Sequence, residues 1–332
     1  MERYYNYSDI NLVPKHSIVE SRSICDTRIE FAGRRWNLPI IPANMSSVIS
    51  MEKALELEAA SYFYILHRFY EYTEILDFVS VNQNRFLSIS VGIKPADEGL
   101  IKTIADRGLQ VNCVTIDVAH ADSDAVGKMA AFIKQYLPSA YLIIGNVGTV
   151  AGVQYLHQIG ADAVKIGIGP SSVCTTYNQT GFATIGMFTT IQRCAEEANR
   201  LGMAVIADGG IRSMGDVTKA IVAGADMVMV GGLFASLSDS PAEFDYANYG
   251  FHEDWNIPDD VLPIGKFYYG SASAYQKGDN NHVEGIKISI PYDSRTYFEF
   301  LTELTQALRS SISYAGGKDL SALQGTSYVY IS

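Results

Sequence analysis

Residues 203–232 read MAVIADGGIRSMGDVTKAIVAGADMVMVGG and contain a strand–helix–strand pattern. The runs MAVIA and DMVMV are short and apolar, as expected for strands that are buried on both faces of a parallel sheet. The stretch SMGDVTKAIVAG between them has the apolar spacing of an amphipathic helix. Each strand-like run ends in a glycine pair, Gly209-Gly210 after the first and Gly231-Gly232 after the second. This unit therefore predicts a parallel sheet whose strands lead into glycine-rich loops.

The same unit repeats along the chain and gives eight candidate strands. The other six are LPIIPA from Leu38, YFYIL from Tyr62, FLSISV from Phe86, VNCVTI from Val111, AYLII from Ala140 and AVKIGI from Ala163. Eight strand–helix repeats in 332 residues predict an α/β fold, a single-domain (β/α)8 (TIM) barrel. Polar and glycine residues follow every candidate strand, as the active face of a barrel requires. A doubly wound open sheet is the alternative, but its polar strand ends should cluster at one switch point.

The sequence after the eighth strand is expected to extend the barrel rather than form a second domain. An insert covers residues 238–293; it is acidic and irregular as far as residue 262, and a hairpin is expected in the remainder. Residues Tyr297–Ser311 have the pattern of a C-terminal helix. Residues 1–332 are therefore predicted to form one domain.

The charge of the chain excludes some classes of partner. Lysine and arginine number 25 and aspartate and glutamate 36, which gives a net charge of −11. No basic cluster longer than a pair occurs, so neither a nucleic acid nor an anionic membrane is expected as the main ligand. A phosphate ligand remains compatible with this charge, because glycine-rich loops and helix N-termini bind phosphate through backbone N–H groups.

Cysteine usage and the absence of a leader pattern suggest a cytoplasmic protein. The four cysteines are widely spaced and include no C-x-x-C pair, which favours a reducing compartment over a disulfide framework or a zinc site. The N-terminus MERYYNYSDI has neither a basic start nor an apolar stretch. The longest nearly apolar run, Met227 to Leu237, is too short to cross a bilayer.

The loop after the sixth strand is the strongest candidate for chemistry. The sixth and seventh strands begin 40 residues apart, and the excess contains KIGIGPSSVCTTYNQTG, Lys165 to Gly181. A long loop of this kind in a compact domain is more often functional than structural. Serine, threonine and glycine flank Cys174, so a nucleophilic thiol is favoured over the buried structural thiol expected at Cys113 and Cys194. Thr176, two residues further on, could relay a proton.

The two glycine pairs predict a phosphate site, because the loops after strands seven and eight frequently bind phosphate in such barrels. Ordinary tight turns are the alternative. Asp208, directly before one pair, could accept a hydrogen bond from a ribose hydroxyl or could cap a helix. Asp117, at the end of the fourth strand, has the same two interpretations. Arg68 offers a cation at the exit of the second strand, and Glu284 is unremarkable by spacing alone.

Several of these motifs together carry a resemblance to a known family. They are GIGPSSVCTT around Cys174, ADGGI at Ala207–Ile211, VMVGGLFA at Val228–Ala235 and YGSASAYQKG at Tyr269–Gly278. In this order they resemble the family of GMP reductase and inosine-monophosphate dehydrogenase, and most closely its bacterial-type reductase branch. The chain has no room for the regulatory domain usually inserted in the dehydrogenases. It also has no Arg-Tyr dipeptide between Tyr269 and Pro291, where the dehydrogenases activate water.

The resemblance implies NADPH-dependent conversion of GMP to IMP and ammonia. Cys174 would attack C2 of the guanine ring and form a covalent adduct, and Thr176 with Glu284 would move the proton that lets ammonia leave. The alternatives are an oxidoreductase that acts on a modified or deoxy purine nucleotide, an activity like that of inosine-monophosphate dehydrogenase, and a non-catalytic nucleotide-binding protein.

The resemblance also implies binding residues. Matches to nucleotide contacts are Asp208, Gly209, Gly210, Gly231, Gly232, Gly270, Ser271, Asn281 and Gly285. Matches to cofactor contacts are Ser21, Arg22, Arg68, Asp117, Val118, Ala119, Ile168 and Gly169. A monovalent cation, potassium in this family, would be held by the backbone carbonyls of Gly169, Ser171, Cys174 and Tyr177. The family also implies a homotetramer.

Three departures from the family pattern lie in or beside the cysteine loop. The usual Gly-Pro-Gly is Gly169-Pro170-Ser171, and the usual Arg or Lys after the second threonine is Tyr177. The usual Gly-x-Gly further on is replaced by the run Phe182-Ala183-Thr184. These changes bear on cation binding and on substrate preference.

Overall fold

The computed structural model describes residues 3–246, 263–278 and 280–331. Within these ranges the strands are β1 (Ile10–Leu12), β2 (Ile29–Phe31), β3 (Arg34–Trp36), β4 (Ile40–Pro42), β5 (Ser88–Val91), β6 (Cys113–Asp117), β7 (Tyr141–Val147), β8 (Ala163–Ile166), β9 (Ala204–Asp208), β10 (Met227–Val230), β11 (Phe244–Asp245), β12 (Gly265–Tyr269), β13 (Lys287–Pro291) and β14 (Tyr328–Tyr330). The helices are α1 (Met51–Ala59), α2 (Tyr72–Val81), α3 (Pro95–Asp106), α4 (Asp124–Tyr136), α5 (Val150–Gln158), α6 (Thr176–Thr180), α7 (Met187–Arg200), α8 (Met214–Val222), α9 (Gly232–Ala235), α10 (Ala274–Lys277) and α11 (Tyr297–Tyr314).

Seven parallel strands form the central sheet, in the order β4-β10-β9-β8-β7-β6-β5. The one remaining expected strand, which starts at Tyr62 and is second in chain order, is reduced to one parallel bridge between Leu66 and Ile89. Its two backbone hydrogen bonds, Leu66 N to Ser88 O and Ser90 N to Leu66 O, are both 3.0 Å long. The sheet curls within a ring of helices and is consistent with the (β/α)8 barrel of one domain that the repeat predicts.

The apolar runs form buried strands because helices cover one side of the sheet and the barrel interior the other. All four residues of β5, of β8 and of β10 are buried. Near the amino ends of the strands, the Trp36 ring packs edge-on against Phe63 and Phe86, with centroids 5.3 and 5.0 Å away. The indole N–H of Trp36 donates to Phe31 O at 2.9 Å, so its polar atom is satisfied in this buried layer. This closed end leaves the carboxyl ends of the strands as the accessible face.

The helices begin at side-chain caps that the sequence supplies. Ser50, Thr149, Ser213 and Thr296 each accept a hydrogen bond from a backbone N–H in the first turn of the helix that follows. Such caps satisfy donors that the helix itself cannot pair. The loops between strands and helices therefore end at defined residues.

The insert adds a small antiparallel sheet to the barrel. Strand β12 pairs with β11 on one side and with β13 on the other, the latter from Gly265↔Pro291 to Tyr269↔Lys287. This pair is the hairpin expected in the second half of the insert. The expected irregular segment lies partly outside the described residues, at 247–262. The expected C-terminal helix extends to Tyr314, three residues past its predicted end.

None of the helices in the described ranges is both long enough and apolar enough to cross a membrane.

Candidate active site

The cysteine loop leaves β8 through two glycines whose backbone has positive φ. Gly167 has φ +144° and Gly169 has φ +80°. A Cβ at Gly167 would collide with the backbone carbonyl of Asp208, so the loop passes directly over the end of the next strand. The loop contains the short helix α6, which begins two residues after Cys174. Cys174 itself is half-buried at the carboxyl end of the barrel.

Three expected catalytic side chains form one hydrogen-bonded chain. Cys174 Sγ lies 3.2 Å from Thr176 Oγ1, which donates to Glu284 Oε2 at 2.7 Å. A threonine hydroxyl has one proton, and here that proton points to the carboxylate. The lone pairs of Oγ1 are then free to accept the proton of the Cys174 thiol. This arrangement can carry a proton from sulfur to a carboxylate that is 108 residues distant in sequence.

Backbone contacts bring Glu284 to the cysteine loop. Thr175 N donates to Glu284 O at 2.9 Å, and Ile286 N donates to Val173 O at 3.0 Å. Cys174 and Gly285 form an antiparallel bridge between these two bonds. The connection between β12 and β13 is therefore joined to the loop like a strand to its neighbour.

At two of the expected nucleotide residues, Gly270 and Gly285, another backbone segment lies so close that only glycine fits. A Cβ at Gly270 would lie 2.8 Å from Val173 O, and one at Gly285 would lie 2.9 Å from Ser273 N. Ser271 is half-buried beside them, whereas Asn281 is exposed. The structure therefore places Gly270, Ser271 and Gly285 at the cysteine loop and leaves Asn281 on the surface.

The two glycine pairs lie against the same loop. Gly209 and Gly210 have φ +96° and +76°, and a Cβ at Gly209 would lie 2.5 Å from Pro170 Cγ. The hydroxyl of Tyr268 occupies the space beside Gly231, and it lies 3.4 Å from Ser171 Oγ. Gly232 begins α9. The loops after β9 and β10 and the cysteine loop thus enclose one region, with the Tyr268 hydroxyl between them.

A buried lysine links two of the expected binding carboxylates. Lys165 Nζ lies 3.0 Å from Asp117 Oδ1 and 2.8 Å from Asp208 Oδ2. Asn146 Nδ2 also donates to Asp208 Oδ2, at 2.8 Å, and to Gly167 O. Burial opposes the charge of Lys165, but the two carboxylates outweigh it and raise its pKa above the usual value. The barrel centre therefore contains a row of alternating charges, formed by Asp117, Lys165 and Asp208.

Arg68 extends this row at its other end. Its Nε lies 3.8 Å from Asp117 Oδ2. Burial disfavours the Asp117 anion, but Lys165 and Arg68 outweigh it and lower the pKa of Asp117. The neighbouring His67 supplies no second cation, because burial lowers its pKa to about 4 and its Nδ1 accepts the Phe69 N–H at 3.1 Å. Of these two neighbouring residues, it is Arg68 that supplies a cation at this strand end.

The expected cofactor residues fall into two groups. Arg68, Asp117, Val118, Ala119, Ile168 and Gly169 lie at the carboxyl ends of β6 and β8 or at the neighbouring bridge segment. Ser21 and Arg22 are exposed beside α11, where Arg22 donates to Ser310 Oγ at 3.2 Å and lies 5.6 Å from the Tyr314 ring. Among the described residues, the hydrogen bonds and ring contacts of Arg22 go to α11 and not to the barrel mouth.

The polar atoms at the mouth suit a nicotinamide ring. Three buried atoms there make no hydrogen bond of normal geometry with the described residues, namely Arg68 Nε, Asn44 Nδ2 and Asn146 Oδ1, although Arg68 and Asn44 both lie beside Asp117. Buried polar atoms without partners are rare and call for an explanation. Two of the three are donors and one is an acceptor, which matches the mixed character of a carboxamide.

The expected cation ligands are partly engaged within the chain. Ser171 O accepts from Cys174 N at 3.1 Å, and Tyr177 O accepts from Gly181 N at 2.8 Å. Each carbonyl keeps one lone pair, and rings of carbonyls are suited to potassium. Ser171 is not among the residues with positive φ, so the serine in place of glycine imposes no left-handed strain. Within the described ranges, no cluster of three His, Cys, Asp or Glu side chains could bind a metal.

Sequence reasoning missed several residues at this site. Lys165 was counted as part of an apolar strand, although a charge inside a buried strand is a signal of a paired or functional group. Asn146 was not singled out among the polar residues that follow the candidate strands. Tyr268 precedes a recognised motif by one residue, and its contact with Gly231 depends on how the insert packs.

Comparison with known proteins agrees with this geometry. A family model described as "IMP dehydrogenase / GMP reductase domain" matches residues 4–332. The chain belongs to this family. It is 44% identical over 334 residues to a protein named GMP reductase from Oceanobacillus iheyensis, an alignment that covers 100% of this chain and 97% of that protein. Proteins of the same name from Staphylococcus carnosus and Staphylococcus aureus strain JH9 are 42% and 43% identical, over 99% of this chain and 97% of each.

The family assignment confirms the resemblance found in the sequence, including its bacterial-type reductase branch. It also supports the barrel and identifies the chain as an oxidoreductase.

Replacing Lys165 with methionine should destabilise the protein strongly, because it leaves two buried carboxylates without their counter-charge. We expect the free energy of unfolding, measured by urea denaturation, to fall by about 3–5 kcal/mol. Lys134→Met is the matched control, since Lys134 pairs with Asp162 at 2.9 Å where both side chains are about a third exposed. That variant should lose less than about 1 kcal/mol. Equal losses of unfolding free energy in the two variants would show that the buried pairs of Lys165 with Asp117 and Asp208 stabilise the protein no more than a partly exposed pair does.

Proposed function

We propose that this chain catalyses the NADPH-dependent reductive deamination of GMP to IMP and ammonia. The proposal rests mainly on the hydrogen-bonded chain Cys174 Sγ, Thr176 Oγ1 and Glu284 Oε2. A thiol beside a proton relay is the set of groups needed to exchange an amino group on a ring carbon. The similarity to proteins named GMP reductase supports guanine as that ring.

The nucleotide would bind across the loops that enclose Tyr268. The backbone N–H groups of Gly209, Gly210 and Gly232 and the Tyr268 hydroxyl would hold its phosphate. Asp208 would accept a ribose hydroxyl with the carboxylate that Lys165 and Asn146 hold in place. The backbone of the β12–β13 connection would then face the base. In this pose C2 of the purine lies over Cys174.

The first half-reaction would exchange nitrogen for sulfur. The thiol proton passes through Thr176 to Glu284, and the thiolate adds to C2 while the C2=N3 electron pair moves onto N3. That pair returns as the C2–N bond breaks, and the amino group leaves with the bonding electrons. The relay returns its proton to this nitrogen, so ammonia leaves and a C2–S adduct remains. Thiolate is a good nucleophile and a good leaving group, which makes both steps easier than a direct displacement.

When it is bound, the nicotinamide cofactor supplies the hydride that takes the place of the amino group at C2. Arg68, Asn44 and Asn146 would hold its carboxamide through the atoms that lack partners within the described residues. Breaking of the C2–S bond returns its electron pair to Cys174 and releases IMP. Arg22 beside Tyr314 would bind the far end of the cofactor, where a guanidinium favours the 2′-phosphate of NADPH.

Further properties follow from the same resemblance. A potassium ion at the carbonyls of Gly169, Ser171, Cys174 and Tyr177 would order the cysteine loop. A homotetramer would bring copies of the barrel together. The four free cysteines are compatible with the cytoplasm, where thiols stay reduced.

Cys174→Ala should abolish turnover, because it removes the thiol that forms the adduct. With GMP and NADPH, the loss of absorbance of the reduced cofactor should slow by about four or more orders of magnitude. GMP affinity, measured by calorimetry, should stay largely unchanged. Cys194→Ala, a buried cysteine on α7, is the control and should retain activity. Near-normal turnover by Cys174→Ala would overturn covalent catalysis, and turnover only with another purine nucleotide would overturn GMP as substrate.

Glu284→Gln should slow the release of ammonia more than the transfer of hydride, because the amide cannot hold the relay proton. The hydride step is measured separately by mixing enzyme with IMP and NADP+, which forms reduced cofactor without ammonia. We expect a loss of about 100-fold or more in overall turnover and a smaller loss in this partial reaction, because there the thiol proton can leave to solvent and no amino group has to be protonated. Glu30→Gln, an exposed carboxylate on β2, should change neither. Equal slowing of the two reactions would contradict the relay.

A further inference from the structure

Lys266 is the most deeply buried charged side chain outside the site just described. It lies in β12, where it pairs in register with Phe244 of β11 and Ile290 of β13. Its relative exposure is 0%. Within the described ranges no carboxylate lies within ion-pair distance of its Nζ. Burial lowers the pKa of Lys266 to about 8, with Asp239 acting in the opposite direction.

Oxygen atoms surround this ammonium as they would a free cation. Nζ lies 2.8 Å from Leu237 O, 3.1 Å from Ser238 O, 2.9 Å from Ser240 O and 2.8 Å from Ser240 Oγ. The Phe244 ring covers it, with the centroid 4.5 Å away. Four oxygens face three N–H donors, which is the coordination of a spherical cation by carbonyl dipoles rather than that of a salt bridge. We call these oxygens the Lys266 cage.

The nearest acid to the cage is engaged elsewhere. Asp239 lies between two cage residues, but its Oδ2 pairs with Lys53 Nζ at 2.8 Å and its Oδ1 accepts Tyr297 N–H at 2.8 Å. The Lys266 charge is therefore held by the carbonyls and the ring and not by a paired anion.

The cage joins two parts of the barrel mouth. Residues 237–240 follow α9, which begins at the second glycine pair. Lys266 and Tyr268 are two residues apart on β12 and point to the same face. Tyr268 Cε1 would lie 3.7 Å from a Cβ at Gly232. Holding Lys266 to the segment after α9 thus sets the distance between β12 and α9, and with it the place of the Tyr268 hydroxyl.

We propose that Lys266 is a positioning residue whose ammonium acts as a built-in monovalent cation, fastening β12 to the segment after α9 so that Tyr268 meets the nucleotide phosphate. The role of Tyr268 in this statement rests on the proposed function. The Lys266 cage does not depend on the proposed function, because the binding of a cation in the cage can be measured without turnover.

The test uses Lys266→Ala in the full chain, which opens the cage, and n-propylammonium, which replaces the missing atoms. Without the amine, the Kd for IMP, measured by calorimetry, and the KM for GMP should rise by about 10- to 100-fold. This is the effect of losing the charged hydrogen bond from the Tyr268 hydroxyl to the phosphate. Propylammonium should raise the melting temperature of the variant with saturation and restore the affinity for IMP. Tetramethylammonium, which is too large for the cage, should do neither, and Lys128→Ala on the exposed face of α4 should resemble the wild type.

Two further variants test whether the cage requires an ammonium of this size, or whether Lys266 only stabilises the fold. Lys266→Met fills the space with an apolar chain and should not respond to propylammonium. Lys266→Arg keeps the charge but not the size, and it should also lose affinity. A merely structural lysine would lower the active fraction, and so kcat, while leaving Kd and KM unchanged. If the alanine variant folds only with propylammonium present, its amine-dependent refolding supports the cage.

An alanine variant with wild-type Kd, KM and melting temperature would overturn the proposal. So would a melting temperature that propylammonium raises no more than it raises that of the wild type. Failure of the wild-type enzyme to reduce GMP would overturn the proposed function instead, and the amine-dependent melting temperature would still decide the cage.

Discussion

Two backbone hydrogen bonds, Thr175 N to Glu284 O and Ile286 N to Val173 O, hold the candidate chemistry together. They join the cysteine loop of the barrel to a connection in the insert more than 100 residues later. Without this junction, Glu284 would be one more carboxylate on an acidic protein, and Thr176 would have no acceptor for its proton. Gly285 permits the junction, since any side chain there would meet the backbone of Ser273. The insert is therefore part of the candidate active site and not an addition to a complete barrel.

The charged side chains at the barrel mouth form one row of alternating sign. Arg68, Asp117, Lys165 and Asp208 alternate in charge across the barrel centre, and each opposes the burial cost of its neighbour. Asp117 belongs to the expected cofactor residues and Asp208 to the expected nucleotide residues, so Lys165 connects the two expected binding regions. Lys266 shows a second way of keeping a buried cation, with carbonyl oxygens and a ring in place of carboxylates.

The sequence predicted the barrel because each buried strand is a separate apolar run with a polar or glycine end. It overestimated only the segment from Tyr62, where Leu66 alone pairs with Ile89. Cys174 and Thr176 could be found because they are two residues apart in a loop of unusual length. Glu284 could be found only through the family resemblance, since no local pattern marks it. Lys165, Lys266 and Tyr268 were missed because their meaning depends on atoms from distant segments, which spacing along the chain does not show.

The most direct test of covalent catalysis by Cys174 is to measure the mass of the enzyme after incubation with GMP. Enzyme and GMP are mixed without cofactor, quenched in acid and digested, and the peptides that contain Cys174 and Cys194 are compared. The account predicts that only the Cys174 peptide gains the mass of GMP less ammonia, with ammonia released in equal amount. No adduct and no ammonia, in an enzyme that reduces GMP when NADPH is added, would contradict a covalent role for Cys174.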